Sequence, residues 1–268
     1  MSKISFTTMG TPELDAFGAI DAAVEYGFDG VDLRISRDEG EIMADMSDEQ
    51  LAKIKAYANE KNIELPGLLC YFNRTIWESF GYNSCEEYLL RLMEIAEKLG
   101  SKIVRYQAGD ASSSDDRKKC IEDEMKIIND VLAKNTSDVM IGIQNHANSY
   151  TVSDTVYAAS LCPSNRLCLI YSPDHCFIIE EDVSAMLDDI KKITPEMYVS
   201  DIIMIDGKHQ SVAPGEGGVD NKKNIDILGG KDFDGWYTFK WERIWRRELD
   251  DYTVVFPKFM KFIKGALK

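Results

Sequence analysis

The sequence predicts a single (β/α)8 barrel, and three observations carry that reading. Short apolar segments alternate eight times with amphipathic ones, the pattern of parallel strands joined by crossover helices. The length of 268 residues suits one such barrel and is short for two ordinary domains. The long polar segments Ser36 to Met46, Asn73 to Ser84 and Met204 to Lys223 all follow apolar strands, on the face where barrels of this kind carry their sites.

Taken in order, Lys3 to Met9 reads as the first strand. Glu13 to Tyr26 reads as a helix whose Leu14, Phe17, Ala19, Ile20, Ala23 and Val24 recur at helical spacing, with Gly27 as its stop. Gly30 to Arg34 is the second strand, and Ser47 with Gln50 forms a capping box that opens the next helix. Asn62 to Phe72 reads as the third strand, and Cys85 to Leu99 as a strongly periodic helix closed by Gly100. Lys102 to Tyr106, Val139 to Gln144 and Arg166 to Tyr171 are strands four to six. Their helices run from about Asp115 to Ala133, Ser153 to Leu161 and Val183 to Ile193. A short strand from Glu196, a polar loop holding Pro214-Gly-Glu-Gly217, and the strand Trp236 to Glu242 complete the barrel. A last amphipathic helix, Val254 to Leu267, follows.

Composition narrows the function classes. The chain carries 46 acidic against 31 basic residues, a formal charge of −15. That field repels phosphate backbones and anionic surfaces, so neither nucleic acid nor membrane is an expected partner. No run of apolar residues is long enough to span a bilayer, and no signal-peptide core precedes the first strand, so a cytoplasmic protein is expected. The six cysteines lack Cys-x-x-Cys spacing and read as buried free thiols. A homo-oligomer is compatible with all of this.

The polar residues at the strand ends are the candidates for chemistry. They are Asp32 and Arg34, Tyr71, Tyr106 and Gln107, Gln144, Asn145 and His146, Ser172, Asp174 and His175, Tyr198, Ser200 and Asp201, then Lys240 and Glu242. Two of only three histidines, His146 and His175, fall just past successive strands. Each is either a proton-transfer group or a hydrogen-bonded structural residue. Lys240 reads as a nucleophile, a proton shuttle or a fixed positive charge, or else as the partner of Asp174, Asp201 or Glu216 in an ion pair. Strand alternation turns Trp241 away from Lys240 and Glu242 toward it. Tyr71, Phe72, Trp77, Tyr106, Trp236, Trp241 and Trp245 offer ring faces for a sugar, or core.

Gly27-Phe-Asp-Gly-Val-Asp-Leu-Arg34, Pro214-Gly-Glu-Gly217 with Val219-Asp220, and Asp234-Gly-Trp through Trp241-Glu242 together resemble the xylose-isomerase-like barrels, the sugar and sugar-phosphate isomerase/epimerase group related to endonuclease IV. The resemblance spans nearly the whole chain. It implies a divalent cation held by a Glu, an Asp, a His and a Glu after strands five to eight. Here those four places read Gln144, Ser172, Tyr198 and Lys240. Anionic oxygen ligands are replaced by neutral groups and an ammonium, so no family-type metal and no other cofactor is expected. Three histidines and the acidic charge also argue against a nuclease.

The expectation is a sugar or sugar-phosphate isomerase or epimerase that moves a proton next to a carbonyl. His146, His175, Lys240 and Glu242 are its acid/base set, and Arg34, Tyr71, Tyr106, Gln144, Asp174, Tyr198, Asp201 and Glu216 bind a small carbohydrate. The alternative is a degenerate barrel that binds a carbohydrate or a partner protein without turnover.

Overall fold

The computed structural model describes residues 2–36, 41–71, 78, 81–107 and 116–268. Its strands are β1 (Lys3–Thr7), β2 (Gly30–Ser36), a two-residue β3 (Ile42–Met43), β4 (Gly67–Leu69), β5 (Ile103–Tyr106), β6 (Met140–Gln144), β7 (Leu167–Tyr171), β8 (Glu196–Val199), β9 (Asp201–Ile205), β10 (Lys208–Val212) and β11 (Trp236–Phe239). Eight of them form a closed parallel ring. The order runs β1, β2, β4, β5, β6, β7, β8, β11 and back to β1, with Phe6 in register with Phe239 on one side and Val31 on the other. The ring is the predicted (β/α)8 barrel.

The helices begin and end where local chemistry directs. They are α1 (Ala16–Tyr26), α2 (Asp48–Lys61), α3 (Cys85–Leu99), α4 (Arg117–Lys134), α5 (Val152–Ser160), α6 (Pro173–Ile179), α7 (Leu187–Ile193), α8 (Asn221–Leu228) and α9 (Tyr252–Ala266). The predicted box at α2 is present: Ser47 Oγ accepts from Gln50 N, and the Gln50 side chain accepts from Ser47 N. Gly27 and Gly100 close α1 and α3 in the left-handed conformation, at φ of 78° and 86°. At the seam where β11 meets β1, Phe256 and Phe259 of α9 cover Phe6, Phe28 and Phe239, with Phe6–Phe256 and Phe239–Phe259 centroids 4.5 Å apart. This aromatic layer buries the outer face of the joint that closes the ring. None of the described helices is long and apolar enough to cross a membrane. None of the six cysteines is in a disulfide, but only Cys70, Cys168 and Cys176 are buried; Cys85 and Cys162 are half-buried and Cys120 is exposed.

Four elements differ from expectation for physical reasons. The third strand shrinks to Gly67–Leu69 because Pro66 has no N–H to pair, leaving only a single bridge between Gly30 and Glu64 before it. The eighth strand stops at Phe239, so Lys240 and Glu242 stand just beyond it. The segment after β7, given no element from the sequence, is α6, started by a proline at its first turn where a missing N–H costs nothing. The polar segment after β8 contains the hairpin β9–β10, turned by Asp206 and Gly207 at φ of 50° and 74°. An Asp-Gly pair between two short runs is the signature of that turn. Phe72, Trp77, the expected helix start at Asp115, and much of the loops after the second and third strands lie outside the described residues.

The barrel interior is part apolar and part polar. Met9, Leu69, Ile103, Cys168, Ile170, Tyr198 and Ile244 form one cluster. Gly142 makes room for it, since a Cβ there would lie 2.7 Å from Ile103 and 2.8 Å from Ile170. Beside it runs a buried polar file: Ser5 Oγ and Thr238 Oγ1 are 2.7 Å apart, and Thr238 Oγ1 donates to Glu196 Oε1 at 2.6 Å. Glu196 Oε2 and Asp32 Oδ1 are fully buried with no donor to serve them, yet the two carboxyls are within hydrogen-bonding reach of one another. Two carboxylates can meet there only by sharing a proton. Burial, and then the Glu196 charge, push Asp32 well above the usual carboxylate range, and burial also raises Glu196.

A carboxyl whose folded pKa is raised stabilises the fold below its unfolded pKa, and that contribution is lost as pH rises toward the folded value. Denaturation midpoints of the parent should therefore carry a component that falls from about pH 4 upward. Asp32→Asn, which supplies the shared hydrogen permanently, should flatten that slope relative to the parent. An unchanged slope in Asp32→Asn would show that the pair does not hold a proton.

Candidate functional site

Lys240 organises the mouth at the C-terminal end of the strands. Its side chain is 3% exposed, and Nζ donates to Asp174 Oδ2 at 2.7 Å. Ser172 Oγ lies 3.5 Å from Nζ, His175 Nε2 3.2 Å and Glu242 Oε1 3.7 Å. Asp174 comes from the first turn of α6, where a carboxylate also meets the positive end of the helix backbone. Burial pushes its carboxyl up, but the Lys240 ammonium and the hydrogen bonds from Lys240 and Ser172 outweigh it and hold Asp174 well below the ordinary range. Trp241 turns outward, its ring stacked 5.9 Å from Phe239 in the helix-facing layer. Lys240 and Glu242 share the inner side as alternation predicts.

A directional line of hydrogen bonds reaches this ion pair from across the barrel. Arg105 Nε donates to Gln144 Oε1 at 2.6 Å, Gln144 Nε2 to Ser172 Oγ at 3.1 Å, and Ser172 Oγ to Asp174 Oδ1 at 2.7 Å. Asn145 locks the ends of β6 and β7 together, donating to Ser172 O at 2.9 Å and accepting from Ser172 N at 2.7 Å.

The two histidines are adjacent, with ring centroids 3.9 Å apart and planes inclined at 39°. His146 is half-buried and its Nδ1 accepts from Asn148 N at 3.3 Å. His175 is buried, and its Nδ1 accepts from Ala147 N at 3.3 Å while Nε2 faces Lys240. A neutral imidazole has one acceptor nitrogen for these two donors, so the position of its proton depends on which contact it satisfies. Desolvation, then the Lys240 charge, lower His146 to about 4 and His175 well below its usual value. At neutral pH both rings are uncharged.

The other expected residues divide. Arg34 is buried at the end of β2, and Tyr71 stands past β4 with its ring 5.4 Å from the Arg105 guanidinium. Tyr198 points into the barrel interior with Ile103 and Ile170. Tyr106, expected at the mouth, faces outward and donates its hydroxyl to Glu124 of α4. Asp201 is buried and fully engaged: its two oxygens accept from the backbone N–H groups of Ile202, Gly215, Gly217 and Val219 at 2.9–3.0 Å. It is the knot that ties the loop after the hairpin. Gly217 permits the knot, since a Cβ there would fall 2.2 Å from Asp201 Oδ1. Glu216 is on the surface beside Lys258, 3.7 Å away, and Trp236 packs over Gly30 near Lys3 at the other end of the barrel. Neither approaches the mouth.

Arg105 is the residue that sequence reasoning passed over. The signal was there: in Ile103-Val-Arg-Tyr106 the alternation that sends Tyr106 outward sends Arg105 inward. A separate cavity of about 490 Å³ lies outside the mouth, between α6, the hairpin and α8. It is lined by Phe177, Met204, Val219 and Ile227 among others. It holds none of the buried cations or histidines.

Of the four positions at which the resemblance implies metal ligands, Gln144, Ser172 and Lys240 lie in one bonded group. The donor set does not fit a divalent cation: it offers an amide, a hydroxyl, a phenol and an ammonium where carboxylates and an imidazole are needed. Among the described residues no three His, Cys, Asp or Glu side chains are grouped to hold an ion.

The model of the xylose isomerase-like TIM barrel family matches residues 20–253. The chain belongs to that family. No curated protein matches it in sequence. Among solved structures, it is similar to the IOLI protein with a zinc atom bound, at 14% identity and a TM-score of 0.79, over 99% of this chain and 98% of that one. It is similar to a probable 3-DHS dehydratase, AsbF, from Bacillus anthracis, at 15% identity and a TM-score of 0.75, over 98% of both chains. It is also similar to D-psicose 3-epimerase with D-tagatose from Clostridium cellulolyticum H10, at 15% identity and a TM-score of 0.74, over 99% of both. At these identities the likeness is one of fold.

The buried ion pair makes a sharp stability test. Lys240→Ala leaves the Asp174 carboxylate buried and unpaired, which should cost about 3–5 kcal/mol. Lys240→Met combined with Asp174→Asn should recover much of that loss. The comparison is read from chemical denaturation, and an undiminished midpoint in Lys240→Ala would show that the pair is solvated.

Proposed function

We propose that this chain is a sugar-modifying enzyme of the isomerase or epimerase class. It moves a proton at the carbon next to a carbonyl, and the Lys240 ammonium stands where the family's cation would act. The observation that supports this reading is a buried ammonium in contact with one neutral imidazole, His175, against which a second, His146, is packed at the mouth. A neutral imidazole removes the proton, and the electron pair moves onto the carbonyl oxygen. The Lys240 charge stabilises the enolate as it forms. Return of the proton to the other face of the same carbon gives the epimer, and return to the former carbonyl carbon gives the isomer. His146, nearer to solvent, is the base that exchanges with water, and His175 sets the hydrogen-bonding state of Lys240. Glu242, 3.7 Å from Nζ, is the acceptor that shuttles protons between sugar hydroxyls. The neighbouring epimerase and dehydratase folds support carbohydrate as the substrate class.

The second reading, binding without turnover, draws on the same ion pair: Lys240 is already matched by Asp174. Solvent exchange separates the two. Incubated with a panel of ketohexoses in D₂O, the enzyme should incorporate deuterium at the carbon next to the carbonyl. A chelator should leave the rate unchanged, and Lys240→Met should abolish exchange. The rate should fall as pH drops through about 4, where His146 protonates, rather than near 6.5. Ketohexose binding without any exchange would favour the binding-only barrel, and loss of exchange on chelation would overturn the metal-free reading.

A further inference from the structure

Two buried guanidinium groups at the mouth are incompletely matched: Arg105 has no counter-ion among the described residues, and Arg34 has only a distant one. Arg105 is 6% exposed. Its partners are neutral: Gln144 Oε1 at 2.6 Å, the Cys70 carbonyl at 3.2 Å through Nη1, and the Tyr71 ring. No carboxylate lies within ion-pairing distance of it among the described residues. Arg34 is 4% exposed, and its Nε is buried without a hydrogen bond. Its nearest carboxylate, Glu41, stands 3.9 Å away. The Glu41 Oε2 atom is already taken by Thr8 Oγ1 at 2.7 Å and the Arg34 backbone N–H at 3.0 Å. Among the described residues no hydrogen bond uses the Arg34 guanidinium.

These residues come from neighbouring strands. Arg34 ends β2, Tyr71 follows β4 and Arg105 lies on β5, in the ring order β2, β4, β5. A buried cation is costly unless a charge or hydrogen bonds match it. A guanidinium with free N–H groups presents a planar fork that fits a carboxylate or phosphate. In a chain of charge −15, two such groups at one mouth form a local positive field that draws an anion in against the overall repulsion.

We propose that Arg34 and Arg105, with Tyr71 between their strands, form an oxyanion subsite that takes the carboxylate or phosphate group of the substrate. The substrate class is then an acidic carbohydrate derivative, a sugar acid or a sugar phosphate. Its anionic end lies on the β2–β5 side and its carbonyl toward Lys240. The inference rests on reading the mouth as the substrate site, but its test needs no turnover.

The test is titration calorimetry and thermal shift of the whole chain with two probes, inorganic phosphate and glycolate, each against sodium chloride at matched ionic strength. At least one probe should bind and raise the melting temperature beyond the salt control. The tighter of the two identifies the source of the oxyanion. Arg34→Met, which removes a guanidinium holding no hydrogen bond and keeps the apolar stem, should weaken binding about tenfold or more. Arg105→Lys, which keeps the charge and loses the fork, should weaken it as well. The proposal is overturned if neither probe acts beyond matched salt, or if Arg34→Met binds as tightly as the parent. Anion binding without deuterium exchange would leave the subsite standing and count against the proton-transfer reading. Exchange without anion binding would do the reverse.

Discussion

The mouth of this barrel depends on one contact, the 2.7 Å pairing of the Lys240 ammonium with Asp174. Both groups are almost wholly buried, so neither is tolerable without the other. The pairing in turn constrains the backbone. Asp174 can reach Lys240 only because α6 begins directly after β7, and α6 begins there because Pro173 suits a first helical turn. Asn145 ties Ser172 to the end of β6 through both its side-chain atoms, which holds the start of α6 in place. The salt bridge thus spans the ends of the sixth and eighth barrel strands, and Asn145 joins β6, the fifth, to the same site.

The barrel itself was legible because its signals are local and repeated. Leu89, Leu92, Ile95 and Leu99 recur at helical spacing, and Ser84 and Gly100 mark the two ends of their helix. Ser47 and Gln50 fix the start of α2 in the same way. The convergence of Gln144, Ser172 and Lys240 was readable as well, since all three stand at strand ends of a parallel ring. What escaped was whatever depends on a partner far along the chain. Asp201 reads as one more polar residue after a strand, and only the fold reveals that four backbone amides consume its oxygens. Glu196, placed at the start of a strand, gave no sign that it would meet Asp32 inside the barrel. Two misses were avoidable from local rules: the Asp206-Gly207 hairpin turn, and the inward parity of Arg105.

The charge pattern of the interior explains how an acidic protein can carry a cationic mouth. The fifteen-unit negative excess is a property of the whole chain, whereas the buried barrel brings Arg34, Arg105 and Lys240 together against Glu41 and Asp174. Deeper still, Asp32 and Glu196 form an acid pair that burial keeps at least partly protonated, so it cancels less of the positive field than two formal charges would. Net charge says little about the sign of a buried pocket.

The hydrogen-bond line from Arg105 through Gln144 and Ser172 to Asp174 gives this arrangement its direction. Each donor points toward the same carboxylate, and Lys240 donates to it from the other side. Bonds in such a chain polarise one another, so the charge on Arg105 is felt at Asp174 even though the two make no contact. An anion drawn to Arg105 would weaken the pull on Gln144, and Asp174 would then hold Lys240 more strongly. An anion-free mouth leaves Asp174 shared between the line and the ammonium. A change of charge beside Arg105 is therefore transmitted along this line to the Asp174–Lys240 pair. Gln144 and Ser172 are the neutral links that make this line physically continuous.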